Sequence, residues 1–128
     1  MLNLNSIMIG TSDPKKLAEF YEKVFAKKPD MQDGEWYGWQ IESCFFNIGL
    51  HSEVKDNAKE PQRVILNFET KDVKGEFERI KNLGAKVIKE PYGMTESGEE
   101  SKDESAMWIA TFADPDDNYF QLMTPWEN

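Results

Sequence analysis

Ile7-Met8-Ile9-Gly10-Thr11-Ser12-Asp13-Pro14 is the stretch on which the reading of this chain turns. From Leu4 to Ile9 apolar and polar side chains alternate, the period of a half-buried strand. Thr11-Ser12-Asp13-Pro14 stops that strand and starts a helix. Ser12 or Asp13 supplies a capping oxygen, and Pro14 suits the first turn because its missing N–H has no intrahelical partner there. Leu17, Phe20, Tyr21 and Val24 then recur at helical spacing as an apolar stripe that ends near Phe25, before Lys27-Lys28-Pro29.

Working outward, Glu35 to Ile41 and Cys44 to Leu50 are rich in aromatic and branched residues and flank a short polar turn, which predicts an antiparallel hairpin. His51 to Gln62 is polar and aperiodic, with a linker set at 53–61 between a first module (1–52) and a second (62–128). The order then returns. Arg63 to Glu69 alternates as a strand, and Thr70-Lys71-Asp72 precedes a helix with Val73, Phe77, Ile80 and Leu83 on one face and Gly84 as its stop. Lys86 to Lys89 predicts a strand, followed by Pro91 and a solvated loop from Met94 to Ser105. Ala106 to Phe112 and Asn118 to Met123 are strands joined by the turn cluster Asp114-Pro115-Asp116-Asp117. The chain therefore reads strand–helix–strand–strand–strand, linker, then the same again, with its two helix-starting aspartates about half the chain apart.

The 128 residues suffice for one domain, or for two small halves that need packing on each other or on a partner. A net charge of −9 argues against nucleic acid and against anionic membrane surfaces. Part of that acidity, Glu96, Glu99, Glu100, Asp103 and Glu104 against Lys102 alone, belongs to the loop. The single cysteine, Cys44, excludes an intramolecular disulfide and a multi-cysteine zinc site. Met1 to Asn5 has no basic n-region and no long apolar run, so a soluble cytoplasmic protein is expected.

Three segments resemble the vicinal-oxygen-chelate superfamily, the glyoxalase, bleomycin-resistance and extradiol dioxygenase group. Ile7 to Asp13 followed by Phe20-Tyr21 is similar to its opening strand, Asp-capped helix and Phe-Tyr pair. Phe68-Glu69-Thr70-Lys71-Asp72-Val73, then Leu83-Gly84-Ala85-Lys86-Val87, is similar to the start of its second module. Asp114 to Leu122 is similar to its Asp-Pro-Asp-Gly-Asn hairpin and last strand, with Asp117 where glycine is usual. A turn that still demands a positive φ there would cost Asp117 modest strain. The resemblance implies an α+β fold of two βαβββ modules forming a curved, cup-shaped sheet, usually in a homodimer. It also implies a small-molecule ligand in the cup, in many members chelated by a divalent metal.

The resemblance places the metal ligands on Ser6, Ile65, Gln121 and either Asn47 or Gly49. A dication needs anionic oxygens or imidazole nitrogens, and these residues supply neither, so no metal and no cofactor is expected. The one histidine, His51, lies past its strand; with Glu69 it offers only a displaced site. Strand alternation assigns Ile7, Ile9, Val64, Leu66, Phe68, Phe120 and Leu122 to the faces under the helices. The ligand lining expected from the alternates is Ser6, Met8, Phe45, Asn47, Asn67, Glu69 and Gln121, with Trp108 as a stacking wall. Trp36 and Trp39 have opposite parity, so only one of them faces the cup. Cys44 has no nearby base, and Glu69 is the sole candidate general base, provided that it is buried.

The leading expectation is a metal-free binding protein that sequesters a drug or metabolite, its acidity and aromatics suiting a cationic aromatic ligand. The alternative is an enzyme on the same scaffold, a lyase, isomerase or dioxygenase, metal-independent or with a displaced metal. A third is a structural dimer whose cup is filled by its own side chains.

Overall fold

In the computed structural model, which describes residues 1–95 and 97–126, Asp13 and Asp72 each cap a helix. Their carboxylates accept from Lys16 N at 3.2 Å and Gly75 N at 3.0 Å, satisfying N–H groups that a first helical turn otherwise leaves unpaired. The chain divides into two units, Met1–Asn57 and Ala58–Asn128, with the boundary inside the 53–61 segment.

The first unit runs β1 (Ser6–Thr11), α1 (Pro14–Phe25), β2 (Met31–Asp33), β3 (Trp36–Ile41) and β4 (Cys44–Leu50). Its sheet has the order β1-β4-β3-β2, with β1 parallel to β4 and the other pairs antiparallel. β2 has three residues, too few for alternation to reveal. α1 lies on the face that carries Trp39, Phe46 and Ile48, all buried with Leu17, Tyr21 and Val24. Tyr21 and Phe46 meet at 4.9 Å between ring centroids, and Phe25 meets Phe46 at 5.2 Å and Trp39 at 5.6 Å. Each such buried side chain contributes about 1.5–3 kcal/mol. The Trp39 indole N–H donates to Lys27 O at 2.9 Å, so the largest core residue buries no unpaired donor.

The second unit runs β5 (Leu66–Glu69), α2 (Val73–Asn82), β6 (Lys86–Met94), β7 (Glu100–Ser101), β8 (Met107–Ala113) and β9 (Tyr119–Met123). Its sheet has the order β5-β9-β8-β6-β7, and only β5–β9 is parallel. Phe77 of α2 stacks on Phe112 at 5.1 Å, and Phe112 on Phe120 at 5.5 Å. Gly84 follows the helix with φ 94°, the left-handed stop that its sequence position predicts.

Three expectations need correction in this unit. The strand expected from Arg63 begins only at Leu66, and Val64, assigned to the helix face, is 71% exposed. β6 continues past Pro91 to Met94, because register shifts between Val87 and Tyr92 let a residue without an N–H sit where the ladder is interrupted. The acidic segment is not wholly loop, since Glu100–Ser101 pairs with Gly93 and Met94 as β7.

The turn between β8 and β9 is closed by Asp114, a buried carboxylate. It accepts from Asp116 N at 2.9 Å, Asn118 N at 3.0 Å and Asn118 Nδ2 at 3.0 Å. Asp117 has φ 64°, so the turn does impose the left-handed backbone that glycine usually accommodates. No helix is long and apolar enough to cross a membrane, among the described residues.

Candidate functional site

Residues directly opposite in a sheet point to the same side, so the strand register fixes what the helix-free face of each unit carries. In the first unit, Ser6, Met8 and Gly10 stand opposite Phe45, Asn47 and Gly49. Those three in turn stand opposite Gln40, Gly38 and Trp36. Ser6, Met8, Phe45 and Asn47 are thus brought to one face as expected, and Trp36 joins them while Trp39 takes the core.

Two glycines shape this face. A Cβ on Gly38 would land in the Phe45 ring, and one on Gly49 would land in the Trp36 ring. Each ring fills the space that a side chain on the glycine across the strand pair would take. Asn47 sits between them, opposite Gly38 and two residues from Phe45 and from Gly49, and is only 6% exposed. Its Nδ2 donates to Ile7 O at 3.1 Å, which orients the amide. Its Oδ1 is buried and accepts no hydrogen bond, the one such side-chain atom among the described residues. Leaving a buried acceptor unpaired costs about 1–3 kcal/mol, which a partner of the right chemistry would recover. Met8, beside it, is 44% exposed.

In the second unit, Asn67, Glu69, Thr111, Gln121 and Met123 share the helix-free face. Here the amide is committed: Gln121 Nε2 donates to Thr111 Oγ1 at 3.1 Å, directly across the β8–β9 pair. Asn67 and Glu69 are exposed, so Glu69 lacks the burial that a tuned general base requires. Trp108 departs from expectation. By register it shares a side with Ala110 and Phe112, on the α2 face, where Lys74 Nζ stands 4.0 Å from its ring centroid. It is not part of the expected lining.

The resemblance implies metal-ligand positions at Ser6, Ile65, Gln121 and either Asn47 or Gly49. Ile65 offers no donor, Ser6 only an exposed neutral hydroxyl, and Asn47 and Gln121 only neutral amides already bonded through their nitrogens. Gly49 is covered by the Trp36 ring. A dication does not fit this set. His51, whose Nδ1 accepts from Glu53 N at 3.2 Å, and Glu69 belong to different units. Among the described residues no group of three His, Cys, Asp or Glu side chains is placed to hold a metal ion. Cys44 is half-buried, with its thiol directed to Phe45 O at 3.9 Å.

Two cavities open in the second unit. One, of about 260 Å³, lies on the α2 side between Lys71, Lys74, Glu104, Trp108 and Thr124. The larger, of about 730 Å³, is lined by Met94, Ser101, Asp103, Met107, Pro125 and Trp126 among others. Bonds from Ser105 N and Oγ hold the Asp103 carboxyl below the usual carboxylate range. Sequence reasoning missed the glycine cradles, the Thr111 partner and this larger cavity. The cradles had a legible signal, an aromatic and a glycine of equal parity in each arm of one hairpin (Trp36 and Gly38 two residues apart, Phe45 and Gly49 each two residues from Asn47).

The glyoxalase-like domain family matches residues 6–123. No curated protein matches the chain. Among solved structures, a glyoxalase-related enzyme from Fulvimarina pelagi superposes with a TM-score of 0.73 at 16% identity, over 98% of this chain and 89% of that one. A glyoxalase/bleomycin resistance protein/dioxygenase family enzyme from Burkholderia phytofirmans PsJN gives 0.71 at 22% identity, over 96% and 98%. The fosfomycin resistance protein FosX from Mesorhizobium loti gives 0.72 at 17% identity, over 98% and 94%. At these identities the structures speak for the fold alone, whereas the family match spans nearly the whole sequence. The chain belongs to the glyoxalase-like domain family, within the vicinal-oxygen-chelate superfamily.

Proposed function

We propose that this protein binds a small organic ligand without a metal, on the helix-free face of its first sheet, and so sequesters a drug or metabolite. The observation that carries this reading is the buried, unpartnered Oδ1 of Asn47 between the Phe45 and Trp36 rings. A ligand that suits it has an N–H or O–H donor for Oδ1 and a flat apolar body. Oδ1 is buried in the absence of ligand, so binding requires its surroundings to open, and a Phe45 or Trp36 ring that leaves its glycine would stack on the ligand. Ser6 and Met8 extend the same face. The expected assembly is a homodimer.

Metal-free capture is favoured over catalysis by the same residues. A lyase, isomerase or dioxygenase of this scaffold needs a metal or a tuned base, and Glu69 is exposed. Calorimetric titration of chelator-treated protein with bleomycin, with fosfomycin and with a panel of basic antibiotics tests the reading. Binding heat that survives chelation and is lost in Asn47→Leu supports it. Heat that appears only with added Zn, Ni, Mn or Fe, or no heat with any compound and no resistance on expression, contradicts it.

A further inference from the structure

The larger cavity is lined by residues of the second unit, and its volume of about 730 Å³ falls in the range of small-molecule sites. One side is apolar. Met94 and Met107 stand opposite each other at the end of the β6–β8 pair, and Pro125 and Trp126, the latter 75% exposed, follow β9. Thioether side chains adapt their shape to a ligand, and an exposed indole offers a stacking face.

The other side ends in a fixed carboxylate. Asp103 N donates to Ser101 Oγ at 3.2 Å, while Asp103 O accepts from Ala106 N at 3.0 Å and from the Trp108 indole at 3.2 Å. Its Oδ1 accepts from both Ser105 N and Ser105 Oγ at 2.9 Å, and no ion pair among the described residues engages its Oδ2. In sequence Asp103 is flanked by Glu99, Glu100 and Glu104, which keeps its surroundings acidic. A pinned anion beside an indole and two thioethers selects for positive charge on a flat apolar frame.

We propose that this groove is a binding site for planar organic cations, which stack on Trp126 and Met107 and direct their charge to the free oxygen of Asp103. An anionic or neutral aromatic of the same size gains the apolar contacts but not the ion pair.

Ethidium as the cationic probe and anilinonaphthalene sulfonate as the anionic one, titrated by calorimetry into the full chain, test this. Ethidium is expected to bind and the sulfonate not to. Asp103→Asn keeps the Ser105 bonds and weakens ethidium about tenfold, Trp126→Ala does the same, and Glu19→Gln, an exposed change on α1, stays within twofold. Thermal melts of each variant establish that it is folded. Asn47→Leu leaves ethidium unchanged, which separates this site from the face of the first unit. The proposal is overturned if ethidium does not bind, if the sulfonate binds as well, or if Asp103→Asn and Trp126→Ala both remain within twofold of wild type.

Discussion

The two units repeat one plan, a capped helix laid on a mixed sheet, and they dispose of a central amide in opposite ways. In the second, Gln121 gives its amide N–H to Thr111 directly across the strand pair, and among the described residues no buried side-chain atom on that face lacks a partner. In the first, Asn47 is more deeply buried and yet leaves an acceptor empty, walled by rings that rest on two glycines. The resemblance implies metal-ligand positions at Gln121 and at either Asn47 or Gly49, and a neutral amide cannot replace a charged ligand there. The contrast separates a position that has been closed internally from one that is kept open, and only an open one is worth occupying with a ligand.

The largest effects sharpen the shared plan. Phe46→Ala in the first unit and Phe112→Ala in the second each remove a ring packed between helix and sheet, and each is expected to cost about 3–5 kcal/mol in urea unfolding. A loss below about 1 kcal/mol in either would mean that its helix–sheet core contributes little. The amides come next and are where the comparison is most easily broken. Thr111→Val strands the Gln121 donor and is expected to cost about 1 kcal/mol. Asn47→Leu removes an unpaired acceptor along with one bond and is expected to stay within about 1 kcal/mol of wild type, though Asn47 is the more buried. If Asn47→Leu proved the costlier of the two, the open position would be structural.

Cap removal should treat the units alike. Asp13→Ala and Asp72→Ala are each expected to cost about 1 kcal/mol, measured in the same unfolding series. The smallest effects are those of pH. Asp30 is held below the ordinary carboxylate value by the Lys27 ammonium and by Gln40 N, and Asp103 by Ser105. A depressed folded-state pKa contributes stability that is present above the unfolded value of about 3.9 and is lost as pH falls through the lowered one. Asp30→Asn in the first unit and Asp103→Asn in the second should therefore each make melting temperature less sensitive to pH below about 4. An unchanged acid limb would remove the role assigned to these bonds.

Local signals made the repeat legible. Asp13-Pro14 and Asp72 announced two helix starts, Gly84 a helix stop, and Asp114 to Asn118 a turn, because capping and turn chemistry act within a few residues. The reading failed where the outcome depends on partners distant in sequence. Val64 alternates correctly but precedes the point at which β5 finds β9, so it is exposed. Trp108 fell on the α2 face because register, and not residue type, chooses the side of a strand. The candidate lining on the first sheet was legible as a set, Ser6, Met8, Phe45 and Asn47, since alternation alone collects it. Its distinguishing property, an acceptor with no donor, arises only when Gly38 and Gly49 meet the rings across the hairpin.

The most direct test is a crystal structure of protein purified without chelators and soaked with a compound whose binding heat Asn47→Leu abolishes. The expected result is an organic ligand with a nitrogen or oxygen about 2.7–3.2 Å from Asn47 Oδ1 and with Phe45 or Trp36 displaced from its glycine. An anomalous metal peak at Ser6, Asn47 or Gln121, or a ligand bound elsewhere with both rings still closed over Asn47, would contradict it.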